Sequence, residues 1–356
     1  MEVVLTINPG STSTKLGLFS RSEKVKDRSI DHSNDGLADM HSIKEQLPLR
    51  LKVVKDTIKS WLNGNQLVAV VGRGGLIGPI ESGVYDINDE IKDVTINCKY
   101  ATHASNLGAS IADGIAREHN VPGYIVDPVT VDEMIPEARI SGVPEIERRS
   151  RLHALNINAC VRKAAEELDR EVEECNFIVA HMGGGISIAP IRRGRIIDVN
   201  DALLGMGPFS PERAGALPLE GIIRMARSDE FSNIKELFRK LTKNSGVKGY
   251  LGTGDMREVM KRVDRGDEKA QLIYKALLYQ VAKEIGAMAT TLNGNVDRIV
   301  YTGGISYNDR IVDELHGKVG FIADKIVFPG ENELESLAEG GFRALDGKAE
   351  VKTYKQ

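Results

Sequence analysis

Residues 8–15 read Asn8-Pro9-Gly10-Ser11-Thr12-Ser13-Thr14-Lys15, between the strand-like runs Val3–Asn8 and Lys15–Ser20. Such a turn suits phosphate. Gly10 permits a sharp bend, the four hydroxyl residues offer side-chain and amide donors, and Lys15 supplies a compact cation. It is not a Walker loop, because no Gly-x-x-x-x-Gly-Lys-Ser/Thr spacing occurs and no helical pattern follows. The ordinary alternative is a surface hairpin whose hydroxyls satisfy turn amides. The same arrangement recurs. Phe177–Ala189 carries His181, Gly183, Gly184, Gly185 and Ser187, again strand, glycine turn and strand. Ile299–Ser306 carries Thr302, Gly303 and Gly304, and its glycines would admit a nucleotide base or ribose by close backbone approach. Three glycine turns, each directly after an apolar strand, point to a nucleotide cleft between two similar halves.

Phosphoryl transfer needs spreading negative charge neutralised, in-line positioning and a metal ion. Residues of those types sit at strand ends. Arg73 follows a strand and is flanked by glycines, a poor core position that suits an anion contact or open solvent. Asp127 ends Gly123-Tyr124-Ile125-Val126 before Pro128, which suits metal or substrate chemistry or a turn cap. His103, His153 and His181 have no i, i+4 pairing for a metal but would serve as donors to a phosphoryl group. Arg213 lies in the Gly/Pro-rich stretch Gly205–Pro218, read as an ordered functional loop presenting a guanidinium fork.

The elements that must position these groups alternate along the chain. Further strand-like runs are Leu67–Gly72, Tyr124–Asp127, Phe177–His181, Ile186–Ile191, Arg195–Val199, Arg298–Thr302 and Lys325–Phe328. Helical spacing of apolar residues marks Ser42–Asn63, Ser105–His119, Glu145–Leu168 and Glu268–Leu292. The mixture indicates an α/β protein, and 356 residues suit two domains. A net charge of −4 argues against a nucleic-acid or anionic-membrane binder. No apolar run approaches the length that spans a bilayer, and no signal segment is evident. Cys98, Cys160 and Cys175 form neither a zinc pattern nor a disulfide framework, so a reducing cytoplasm is expected.

Nearly end to end, the sequence resembles the acetate/butyrate kinases, acyl-phosphate-forming members of the sugar kinase, heat-shock ATPase and actin superfamily. Asn8–Lys15 resembles the signature N-A/P-G-S-S/T-S-x-K, His181–Ser187 resembles H-L/M-G-N/G-G, and Thr302–Ile305 resembles the adenosine motif. The resemblance implies two ribonuclease-H-like (actin-like ATPase) domains flanking a nucleotide cleft, 1–128 plus 334–356 and 129–333. It implies ATP/ADP as substrate, Mg²⁺ as cofactor and a homo-oligomer, at least a dimer. By it, Asn8, Ser11, Ser13 and Lys15 line the transferred phosphate, with His181, Gly183, Gly184 and Gly185 on phosphate and Gly303 and Gly304 on the nucleoside. Arg73 and Arg213 hold the carboxylate and the developing charge, and His153 donates to equatorial oxygens. Asp127 lies at the metal or the attacking carboxylate. Glu333 and Asn8 are assigned to Mg²⁺, with Glu331 as the alternative.

The departures concern the acceptor. Acetate members read R-V-V-H-G-G where this chain has Arg73-Gly74-Gly75-Leu76, and G-F-H-G-T-S-H where it has Arg151-Leu152-His153-Ala154. Gly75 and Leu152 would enlarge the acyl pocket, and each buried methylene contributes roughly 0.8 kcal/mol. The expected reaction is butyrate + ATP to butanoyl phosphate + ADP, with isobutyrate or propionate as alternative acceptors. A phosphate-sensing ATPase or a non-catalytic nucleotide-binding module are the readings from other classes.

Overall fold

Burial on both faces of the opening strand sets the architecture of the first unit. In this computed structural model, which describes residues 1–37, 40 and 42–356, the strands are β1 (Glu2–Pro9), β2 (Ser13–Phe19), β3 (Lys24–Asp31), β4 (Gln66–Arg73), β5 (Val84–Asp86), β6 (Gly123–Val126), β7 (Asn176–Met182), β8 (Ile186–Arg192), β9 (Arg195–Ile196), β10 (Arg298–Gly303), β11 (Lys325–Pro329) and β12 (Val351–Lys352). Val3, Leu5 and Ile7 of β1 pack with helices Ile43–Ile58 and Leu107–His119. Val4, on the other face, packs with Leu337, Ala338 and Phe342 of helix Glu333–Leu345. A strand covered on both faces reads as a continuous apolar run rather than an alternation.

Contacts within the chain define two compact units, residues 1–131, 154–158 and 332–356, and residues 132–153 and 159–331. The first holds a mixed sheet in the order β12-β5-β6-β4-β1-β2-β3. Its centre, β6-β4-β1, is parallel. β2 returns antiparallel beside β1, and β3 beside β2. The second holds the sheet β11-β10-β7-β8-β9, parallel across β11-β10-β7 and antiparallel from β7 to β9. Ile178, Ala180 and Met182 of β7 share a core with Ile273, Leu277, Val281 and Ile285 of helix Glu268–Thr291. Among the described residues no helix is long and apolar enough to cross a membrane.

The structure amends several expected elements. The helix expected over Glu145–Leu168 begins only at Ala154. Its upstream backbone is taken up elsewhere: Arg148 N donates to Arg139 O at 2.9 Å, and the Arg148 side chain donates to Ala138 O, Asp198 Oδ1 and Val199 O. The strand expected over Arg195–Val199 stops at Ile196, since Ile197 and Val199 accept from Ile135 N and Arg148 instead. β3 has no apolar alternation to reveal it. It is a mostly exposed edge strand rich in charge, which guards the sheet against further pairing.

Glycines bring the last helix close to the sheet. A Cβ on Gly340 would lie 2.7 Å from Val126, and one on Gly341 2.7 Å from Val71. We expect Leu337→Ala, which empties a fully buried site under this helix, to cost about 2–5 kcal/mol in denaturant unfolding. A loss below about 1 kcal/mol would show that the helix does not seal this core.

Candidate functional site

The parallel centre of the first unit aligns its strand ends. Ile7 of β1 lies beside Gly72 of β4, and Arg73 of β4 beside Val126 of β6. The next residues along β1 and β6 are Asn8 and Asp127, so Asn8, Arg73 and Asp127 come to one edge in sheet order. That edge is the carboxyl end of the strands, where open α/β sheets bind ligands. Lys15 joins them because β2 pairs Lys15 with Asn8, and its side chain is exposed. Ser11 is exposed and Ser13 half-buried in a turn closed by Gly10 N donating to Ser13 O at 2.7 Å.

Glu333 arrives from the far end of the chain as the first residue of helix Glu333–Leu345, where a carboxylate is favoured by the helix dipole. Asn8 Nδ2 donates to its Oε2 at 2.6 Å, and Arg73 Nη2 lies 3.4 Å from its Oε1. Arg73 is only 7% exposed, yet its Nη1 has no hydrogen-bond partner among the described residues. A buried donor left open in this way costs about 1–3 kcal/mol, which an incoming anion would recover. Asp127 is buried with φ of 38°, a left-handed conformation unusual for a non-glycine residue. Its Oδ1 accepts from Gly83 N at 2.8 Å and its own N–H donates to Gly83 O at 3.0 Å. At least one of its oxygens therefore serves the turn-holding role that its place before Pro128 suggests.

The second unit gathers another set. β7 and β8 pair His181 with Ser187 across the glycine turn, and Gly183 N donates to Gly185 O at 3.0 Å. His153, at the N-cap of helix Ala154–Glu167, stacks its ring on His181 with centroids 3.9 Å apart and planes 9° apart. His153 Nδ1 and Ser187 Oγ are 2.9 Å apart, so one ring nitrogen is fixed and the ring orientation with it. Glu331 Oε1 lies 3.9 Å from His181 Nε2. The loop bearing Arg213 is irregular, as its glycines and prolines suggest, and it is tied to the turn. Ser210 Oγ donates to Gly184 O at 2.6 Å and accepts from Arg213 N at 3.1 Å. The Arg213 guanidinium donates to Ala202 O and lies against Gly185 so closely that a Cβ there would overlap Nη1. Burial pushes the Arg213 guanidinium below its ordinary pKa, and Nε has no hydrogen-bond partner among the described residues. β10 runs parallel to β7 with Thr302 beside His181, so Gly303 and Gly304 follow at the same carboxyl edge as Gly183–Gly185.

The structure thus assembles Asn8, Lys15, Arg73, Asp127 and Glu333 on one unit, and His153, His181, Gly183, Gly184, Gly185, Arg213, Gly303 and Gly304 on the other. It separates the two acidic alternatives: Glu333 belongs with Asn8 and Arg73, Glu331 with His181. The two acyl-pocket positions fall on different units. Leu152 is buried. Gly75 leaves no open volume, since a Cβ there would lie 2.6 Å from both Cα and Oδ1 of Asn106. The backbone of Asn106 takes that space.

Sequence reasoning passed over two residues beneath the Gly10–Thr14 turn, Arg50 and His32, both buried. The signal for Arg50 was present: it stands in the stripe Ile43, Leu47, Arg50, Val54, Ile58, where the apolar face of the helix would otherwise continue. His41, to which the sequence assigns no role, lies outside the described residues.

The fold has solved counterparts. Porphyromonas gingivalis acetate kinase aligns with a TM-score of 0.79 at 21% identity, over 97% of this chain and 100% of that one. A propionate kinase from Francisella tularensis aligns with a TM-score of 0.74 at 21% identity, over 96% and 99%. Acetate kinase from Entamoeba histolytica also aligns with a TM-score of 0.74, at 17% identity, over 96% and 99%. At these identities the likeness establishes the fold, a mixed α/β architecture of the acetate kinase and actin-like ATPase type. Residues 145–326, just over half of the chain, match the Acetokinase family. That segment contains His153, the His181–Ser187 turn, Arg213 and Gly303–Gly304, and by this match the chain belongs to the acetokinase family, whose members are kinases of short-chain carboxylates.

Proposed function

We propose that the protein transfers the γ-phosphoryl group of ATP to butyrate, reversibly and in a single in-line step. The observation that carries the transfer is the Asn8–Glu333–Arg73 group, a carboxylate and an amide at a strand edge beside a buried guanidinium with an open donor. A carboxylate acceptor is already a nucleophile at neutral pH, so no strong general base is required. One carboxylate oxygen attacks the γ-phosphorus as the bond to the ADP oxygen breaks. The work is alignment and charge neutralisation. Arg73 and Arg213 supply forked donors, Lys15 a point charge, and His153 a donor held by Ser187.

The donor set also suits Mg²⁺. A single carboxylate, Glu333, beside the amide of Asn8 matches an ion that keeps most of its water and arrives on nucleotide phosphates. Among the described residues no cluster of three acidic, histidine or cysteine side chains forms a self-sufficient metal site. Glu333 and Asn8 would hold the ion, which neutralises phosphate charge when bound. The adenosine is assigned to Gly303 and Gly304, and its phosphates to the His181–Gly185 turn.

Butyrate rather than acetate is supported by one of the two departures from the acetate pattern, at Leu152. Leu152 replaces an aromatic wall. Gly75 lends no such support, because Asn106 occupies the space a side chain there would take. Formation of acyl phosphate from ATP and the C2–C5 acids, trapped with hydroxylamine, checks the reading. We expect butyrate to give the highest kcat/KM, and acetate to be poorer by at least about tenfold, since two methylenes are each worth about 0.8 kcal/mol. A preference for acetate would overturn the acyl assignment, and ATP hydrolysis with no trapped product would overturn the transfer itself. Arg73→Ala and Arg213→Ala should each lower kcat at least about a hundredfold while the far-UV spectrum and thermal midpoint stay near wild type. Near-normal turnover in either variant would remove that arginine from the mechanism.

A further inference from the structure

The phosphate turn is gripped from below by a buried cation. Arg50 is fully buried. Its Nη1 donates to Ser13 O and Thr14 Oγ1, both at 2.9 Å, and its Nη2 to Gly10 O at 2.9 Å and Ser11 O at 3.2 Å. Gln46 Oε1, one turn earlier on the same helix, accepts from Nε and Nη2 and holds the fork in plane. His32 completes the set. Its backbone N–H donates to Thr12 O at 2.8 Å, its Nε2 is 2.9 Å from Thr14 Oγ1, and its Nδ1 is 2.7 Å from Asp35 Oδ2. Every carbonyl from Gly10 to Ser13 therefore has an internal partner.

This arrangement has a directional consequence. The peptide bonds are trans, so each N–H points opposite to the carbonyl of its own peptide unit. Drawing Gly10 O and Ser11 O toward Arg50 turns the amides of Ser11 and Thr12 away from it. Successive amides aimed the same way form an anion-binding nest. A turn of Gly, Ser and Thr has little intrinsic preference for that geometry, and a planar fork reaching three carbonyls at once supplies it.

We propose that Arg50 is a positioning residue for phosphoryl transfer, ordering the Ser11 and Thr12 amides as phosphate donors, with Thr14 and His32 as its supports. The proposal rests on the phosphate role given above to the turn. Arg50→Lys keeps a cation but loses the fork, and Thr14→Val keeps the shape but loses the hydroxyl. We expect Arg50→Lys to lower kcat per folded molecule at least about tenfold, with KM for ATP within about twofold. Thr14→Val should lower kcat about threefold. In both, amide hydrogen exchange of residues 10–14 should quicken while the strands around it keep their protection. A merely structural role would lower the thermal midpoint and leave kcat per folded molecule unchanged. Folded variants with wild-type kcat, whatever their exchange in the turn, would overturn the proposal, and Thr14→Val alone decides it if Arg50→Lys does not fold. If the wild type forms no acyl phosphate from any C2–C5 acid, the proposed function fails separately, and the exchange comparison alone judges the clamp.

Discussion

The hydrogen bond from Asn8 to Glu333 joins residues 325 positions apart, and the first cluster depends on it being possible. Glu333 reaches Asn8 only because the helix it begins is laid on the sheet by Leu337, Gly340, Gly341 and Phe342. Glycines at 340 and 341 let that helix approach the valines of β4 and β6 more closely than side-chain packing would allow. The approach fixes the height of the helix start over the strand ends, and with it the distance from Glu333 to Arg73. Core packing and site geometry are here one constraint. A change under the helix would register at the carboxylate.

Two buried arginines, Arg50 and Arg73, and the half-buried Arg213 show how the chain treats charge differently by role. Arg50 has its donors spread over four carbonyl and side-chain oxygens of the turn and the amide of Gln46. Burial lowers its pKa, and the dense hydrogen bonding offsets that cost. Arg73 and Arg213 each keep a nitrogen without a partner among the described residues. A buried cation that is fully bonded serves the fold. One held with a donor in reserve is poised for an anion that comes and goes. This criterion supports the proposed roles of Arg73 and Arg213 in the chemistry and of Arg50 in the scaffold that aims it.

Much of this was legible in the sequence because glycine turns after apolar strands leave a strong local pattern. The hairpin at Asn8–Lys15, the turn at His181–Ser187 and the strand before Gly303 all lie where their residues suggest. The illegible parts are those decided by distant partners. β3 pairs although its residues are charged, because β2 offers an open edge. β5 and β12 are too short to carry a period, and each forms only against a neighbour. The basic run before His153 has helical spacing, yet Arg148 finds better partners in Asp198 and two carbonyls, so the helix starts at Ala154. Gly75 looked like removed volume. The fold brings Asn106, thirty-one positions away in sequence, to fill it.

That last point bears on how acceptor length would be chosen. Asn106 is polar, and a polar wall would disfavour an alkyl chain. Its polar atoms are all engaged elsewhere: Nδ2 donates to Thr95 O and Ala101 O, and Oδ1 accepts from Leu76 N at 2.8 Å. With these satisfied, it presses Cα as well as Oδ1 against Gly75. A residue so bonded cannot swing to make or close space as a free side chain could. The pocket wall at this position would therefore be rigid, set by the backbone ahead of helix Leu107–His119 rather than by a rotamer. Selection among acids that differ by one methylene, a matter of about 0.8 kcal/mol, is better served by such a wall than by a mobile one, because a mobile side chain would yield and give back part of the difference.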